Sequence, residues 1–128
     1  MINYLEIDEV LAINFQMIKL FGGKYEVRDF LLLDSALNRP KASFGGVDLY
    51  KNIFDKATAM LHSLIMNHVF ADGNKRTAIT SCARFLYING WKLTLNREKT
   101  IRFMIDVEAK KYSLKEISAW LKKHSKKK

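Results

Sequence analysis

Nine consecutive positions, 68 to 76, carry His68, Phe70, Asp72, Gly73, Asn74, Lys75 and Arg76, with an apolar helical pattern on either side. An imidazole, a carboxylate, an amide and two cations in one loop are poor core material and good material for holding a phosphate. Asn74 to Tyr87 reads as a helix. Ala78, Ile79, Cys82, Ala83, Phe85, Leu86 and Tyr87 fall near the helical period, and Asn89-Gly90 supplies the stop. Gly73-Asn74 therefore opens a helix whose first N–H groups have no intrahelical partner and carry the positive end of the macrodipole. An anion is the natural occupant of such a tip. Gly73 lets a ligand approach the backbone, Arg76 can grip phosphate oxygens in pairs, and Lys75 acts as a point charge.

Asp72 would repel a phosphate unless a cation lay between them. Mg²⁺ commonly takes one or two carboxylates together with substrate phosphates, so a single Asp suffices, and a helix cap is the competing role. His68 lies four residues earlier, at the end of the preceding helix. It reads either as the base that takes a proton from an attacking hydroxyl or as a histidine packed on the loop. Phe70 reads as the inward anchor of the loop.

The elements that must position these groups follow from patterning. A first helix is expected from Ile7 to Phe21, with Val10, Leu11, Phe15, Met17, Ile18 and Phe21 as its apolar face and Gly22-Gly23 as its end. A short helix from Arg28 to Asn38 stops at Arg39-Pro40. Residues 41–47 form a loop in which Gly45-Gly46 suggests a tight turn or small hairpin. Asp48 is expected to cap a long, central third helix from Leu49 to about Asn67, which delivers His68. His62 reads as a surface or core histidine. After the motif helix come a short extended segment at Trp91 to Leu95 and a fifth helix from Arg97 to about Lys110. A last helix opens with the capping box Ser113-Leu114-Lys115-Glu116. The expected class is all-α: a compact bundle of about six helices in one domain over residues 1–128.

These residues resemble the Fic/Doc superfamily, and within it the death-on-curing (Doc) toxin branch. The Fic pattern H-x-F-x-[D/E]-G-N-G-R-x-x-R is matched at His68, Phe70, Asp72, Gly73, Asn74 and Arg76. Lys75 and Ile79 stand where most Fic proteins have Gly and the second Arg, as the Doc branch does. Val27-Arg28-Asp29, Ser35-Ala36-Leu37, Pro40, Phe44-Gly45-Gly46, Asp48-Leu49-Tyr50, Phe85-Leu86 and Asn89-Gly90 extend the likeness over roughly residues 4–121.

The resemblance implies a helical Fic/Doc-like fold and ATP-dependent transfer to a protein hydroxyl. The group transferred is AMP in most Fic proteins and phosphate, onto a threonine of elongation factor Tu, in Doc toxins. It implies His68 as the base, Asp72 as the Mg²⁺ ligand, Gly73, Asn74, Lys75 and Arg76 as the phosphate grip, and Phe44, Gly45 and Gly46 in a flap over the target. The flap could pair with an extended target segment by strand addition; an ordinary connector is the bland reading. The resemblance also implies an antitoxin acting in trans, because no inhibitory [S/T]-x-x-x-E-[G/N] helix is credited: Thr94 to Glu98 is followed by Lys99.

Composition narrows the alternatives. Hydrophobic residues make up 48%, against disorder. No run approaches the roughly 20 apolar residues of a membrane helix. The start, Met1-Ile2-Asn3-Tyr4, lacks the basic and apolar regions of a secretory signal, and the lone Cys82 excludes an internal disulfide and fits the cytoplasm. Cys82 lies in an apolar stripe and reads as filler. The net charge of +9 owes much to five lysines in residues 122–128, expected to be a solvated, frayed tail. That charge alone would allow a nucleic-acid binder, but basic and aromatic residues do not interleave, so nucleic acid is disfavoured. A non-catalytic binding module stays open as the second class. HExxH, Cys/His metal spacing and a carboxylate pair in one loop are all absent.

Overall fold

The computed structural model describes residues 1–128. Six helices, α1 (Ile7–Phe21), α2 (Phe30–Asn38), α3 (Ile53–Met66), α4 (Asn74–Ile88), α5 (Arg97–Glu108) and α6 (Leu114–Lys123), are accompanied by two short two-stranded sheets. A hairpin pairs β1 (Ser43–Phe44) with β2 (Val47–Asp48), and β3 (Trp91–Leu93) pairs across α5 and α6 with β4 (Ser125–Lys127), both antiparallel. The chain is all-α, as its patterning predicts.

Helix α3 is the central element, packed chiefly on α4 and α6 and also touching α2 and α5. Every residue from Lys56 to Leu61 is buried, which explains an apolar pattern on more than one side. Val10, Leu33, Leu37, Leu61, Leu64, Ile65, Phe85, Leu86, Phe103, Ile117 and Leu121 belong to one continuous core around it. The capping box expected at Ser113 is present: Ser113 Oγ accepts from Glu116 N–H at 3.1 Å and Glu116 Oε1 from Ser113 N–H at 2.9 Å.

Four expectations need correction. Asp48 caps no helix. α3 begins at Ile53, where the Asn52 side chain accepts from Asp55 N–H at 2.9 Å, and Asp48 sits in β2. Its carboxylate instead meets Lys56, whose side chain runs through the core at 2% exposure and ends 3.1 Å from Asp48 Oδ2 and 3.2 Å from the Pro40 carbonyl. Phe15 and Phe21 do not face the core of α1 but lie about half exposed, because Tyr25 and Arg76 cover them only in part. α2 starts two residues late, at Phe30, since Asp29 turns its side chain back to cap Leu32 N–H. The basic end is not frayed. Lys92 pairs with Lys126 and Trp91 with Lys127, and Lys128 Nζ lies 3.8 Å over the Tyr87 ring. Backbone pairing there outweighs the repulsion of like charges, which a solvated surface screens.

Candidate active site

The site is built where α3 ends. His68 takes a left-handed backbone, φ 46°, which costs a non-glycine residue about 1–2 kcal/mol. The sharp turn leaves the imidazole half exposed and sends Val69 and Phe70 into the core at 0% and 1% exposure. The surroundings hold that strain in place. Val69 C=O accepts the N–H groups of Arg28 at 2.7 Å and Asp29 at 3.3 Å, Ala71 N–H donates to Glu26 C=O at 2.9 Å, and Val27 and Phe70 form a bridge. The strand-like segment before α2 therefore straps the loop from one side.

Asn74 closes it from the other. Its Oδ1 accepts Phe70 N–H at 3.0 Å and its Nδ2 donates to Phe70 C=O at 2.9 Å. The side chain expected in the phosphate grip is thus the clamp of the loop, and what it leaves for an anion is its backbone N–H. Asn14, fully buried on α1, adds a second clamp: Nδ2 donates to the Asp72 carbonyl at 3.1 Å and to Thr77 Oγ1 at 3.0 Å.

Gly73 stands just before α4 with φ 74°, and no side chain caps the helix. The first intrahelical donor is Thr77 N–H, to Gly73 C=O, so the N–H groups of residues 74–76 are left for a ligand. A Cβ at Gly73 would lie 3.3 Å from both Asn14 Nδ2 and Ile18 Cδ1, a tight fit on top of an unfavourable φ.

Asp72 turns away from this tip toward the α1–α2 turn. Its Oδ2 accepts Lys24 N–H at 2.7 Å, and a Cβ at Gly23 would lie 2.8 Å from Asp72 Cβ, so glycine at 23 is what lets the carboxylate settle there. Oδ1 keeps its acceptor capacity. Lys75 and Arg76 diverge. The Arg76 guanidinium lies 4.1 Å from the centre of the Phe21 ring, whereas Lys75 Nζ is 3.0 Å from Glu108 Oε1. The other oxygen of Glu108 lies 3.5 Å from His68 Nε2. Beside this cluster a cleft of about 290 Å³ runs between α4 and α5, with Gly73 to Arg76 at one end and Ile79, Ile101, Met104 and Ile105 along its wall.

The structure thus gathers His68, Gly73, Lys75 and the backbone of Asn74 at one place, with Arg76 at its rim. Phe70 is the buried anchor under them. Phe44, Gly45 and Gly46 form the tip of the β1–β2 hairpin, with Phe44 82% exposed. Its base is tied to α3, the helix that ends at the site. Arg39 donates to Tyr50 Oη at 2.9 Å and Ser63 Oγ at 2.9 Å and lies 3.1 Å from His62 Nδ1. Burial of the ring, and then the Arg39 charge, hold the His62 pKa below the ordinary imidazole value, so it accepts as a neutral ring.

Asn14 and Glu108 carry roles that patterning alone misses. Asn14 had a signal, a carboxamide four residues after Val10 on a buried face. Glu108 had a weaker one, an acid in the last turn of a helix that offers no base there.

Chemically, the arrangement can bind an anion on α4 amides and Lys75, seat an apolar or planar group along the cleft, and present an imidazole beside both. Three or more His, Cys, Asp or Glu side chains grouped to hold a metal ion do not occur. A divalent ion here would rest on Asp72 together with its ligand's own oxygens.

A sequence model described as the Fic/DOC family matches residues 4–86. Among curated proteins, Toxin Doc of Mycolicibacterium smegmatis is 47% identical over 93 residues, which is 73% of this chain and 69% of that protein.

Proposed function

This chain belongs to the Fic/DOC family, and from that premise we propose that it is the toxin of a toxin–antitoxin pair. It transfers phosphate from ATP to a Thr or Ser hydroxyl of an elongation factor Tu-like translation factor, and translation stops. The observation that carries this reading is the uncapped α4 tip with Lys75 at one end of an apolar-walled cleft, and the His68 imidazole on the same Glu108 carboxylate as Lys75. Similarity to Toxin Doc supports the toxin assignment.

In the reaction, His68 takes the proton of the incoming hydroxyl at a ring nitrogen as that oxygen bonds to the γ-phosphorus, and the bond from the γ-phosphorus to the β-phosphate oxygen breaks to release ADP. The N–H groups of residues 74–76 and the Lys75 ammonium bind the charge that grows on the phosphoryl oxygens, in fixed positions that need no reorganisation. Arg76 leaves Phe21 or reaches past it to the phosphate tail. Ile79, Met104 and Ile105 line the cleft that seats the rest of the nucleotide and excludes water. Asp72 has one carboxylate oxygen free of protein donors and would hold Mg²⁺ there, where the ion would supply positive charge to offset that of the phosphates. The β1–β2 tip, with Phe44 open to solvent, receives the target segment. The antitoxin is an acidic protein that suits the +9 charge and covers the exposed apolar residues Leu20, Phe21, Phe30 and Leu31 beside the motif loop.

Labelled ATP tests this. Elongation factor Tu incubated with the protein, Mg²⁺ and ATP gains γ-label and the mass of one phosphate, and His68→Ala, folded, abolishes the gain. Transfer of α-label instead would make the protein an AMP transferase. Full activity of His68→Ala would remove the assigned base, and absence of any modification would leave a binding module.

A further inference from the structure

Glu108 is the one carboxylate that reaches into the motif. It closes α5, where the helix dipole is negative and no basic residue lies in the last turn, so its charge is disfavoured by its own helix. Its partners belong to the opposite pole: Oε1 lies 3.0 Å from Lys75 Nζ, in the first turn of α4, and Oε2 lies 3.5 Å from His68 Nε2. A carboxylate with two oxygens spread over a lysine and an imidazole has the shape and charge of two oxygens of a phosphate. The rest of the tip is different, since the amides of residues 74–76 have no such partner.

We infer that Glu108 is a specificity-determining residue, a carboxylate that holds Lys75 until a more highly charged phosphate tail takes its place. The inference rests on the proposed phosphate cradle and adds to it a charge threshold. A ligand gains Lys75 only by breaking the pair with Glu108, and it then sits beside the displaced carboxylate. A triphosphate has charge enough to do both, and magnesium lowers the second penalty. A single phosphate dianion gains little beyond what the carboxylate already supplies. The threshold is modest because Lys75 and Glu108 are each about a third to two-fifths exposed, so the pair is partly screened. The other oxygen of the same carboxylate stands 3.5 Å from His68 Nε2, so displacing Glu108 from Lys75 also clears that ring nitrogen.

The test is a double-mutant cycle on the full chain. Calorimetry measures binding of ATP, tripolyphosphate and inorganic phosphate, with Mg²⁺, to wild type, Glu108→Gln, Lys75→Met and the double variant, with Glu108→Ala as the second truncation. Thermal unfolding verifies that each is folded. Glu108→Gln and Glu108→Ala are expected to bind inorganic phosphate about fivefold more tightly or better, a factor corresponding to the loss of one partly exposed ion pair. The proportional gain is smaller for tripolyphosphate and ATP, and it vanishes in the Lys75→Met background. Unchanged or weaker binding by both Glu108 variants, while wild type binds ATP and Lys75→Met does not, overturns the inference and leaves the cradle standing. A gain that persists without Lys75 also overturns it, as general charge relief. Failure of every variant to bind ATP removes the cradle itself, and the inference with it.

Discussion

Replacing Asn74 by Ala separates a clamp from a phosphate ligand. The carboxamide makes two hydrogen bonds, at 3.0 and 2.9 Å, to the N–H and C=O of Phe70. Each contributes about 1 kcal/mol net, and their loss leaves both Phe70 groups unpaired in a partly buried loop, so the expected destabilisation is about 2 kcal/mol. For a chain of this length 1 kcal/mol moves Tm by roughly 3–5 °C, so Tm falls by roughly 6–10 °C. The effect is also local. Amide hydrogen exchange across residues 68–73 rises well above that of α3, because the loop opens without the domain unfolding. Transfer activity falls as the loop loses its position. Asn74→Asp keeps the acceptor, turns a second oxygen against Phe70 C=O, and recovers little. The reasoning is refuted if Asn74→Ala keeps its Tm and its loop protection while ATP affinity drops, since the amide would then touch phosphate directly.

Three further outcomes are expected. Asp48→Asn leaves the buried Lys56 ammonium with the Pro40 carbonyl and a neutral amide; because Asp48 itself is more than half exposed, the loss is about 1–2 kcal/mol, read as a lower urea midpoint. His62 has a depressed pKa in the folded state, so both states are neutral at high pH and the unfolded chain takes the proton first on acidification. Stability should therefore decline as pH falls below about 6.5 until the folded ring also titrates, and Tm measured at about pH 7.5 and 5.5 should drop less in His62→Asn than in wild type. Cys82 is wholly buried, and burial alone pushes its thiol up to about 12, so a disulfide reagent should leave the native chain unlabelled and react quickly in urea.

Much of the architecture is legible in local pattern. α1, the start of α4, the stop at Asn89-Gly90 and the Ser113–Glu116 cap follow from apolar period, glycine placement and capping chemistry, which act over a few residues. The errors have one physical character. Asp48 looked like a cap because Asp caps helices, but Lys56, eight residues on, claims it in space. The lysine tail looked frayed because charge favours solvent, but β3 offers it backbone partners. Phe15 and Phe21 fit the period of α1, but no helix covers that side.

The same division runs through the motif. Residue types alone pointed to a phosphate held beside a base at 68–76, because a glycine at a helix start, two cations and an imidazole fall within nine positions. Which way most of those groups turn was decided by long-range packing. Asn74 is turned inward by Phe70, Asp72 sideways by Lys24, Arg76 onto Phe21 and Lys75 toward Glu108. The first of these contacts is local, four residues apart; the other three close only when distant segments meet, and a polar side chain in a loop goes to whichever donor, acceptor or charge the fold brings within a few ångströms.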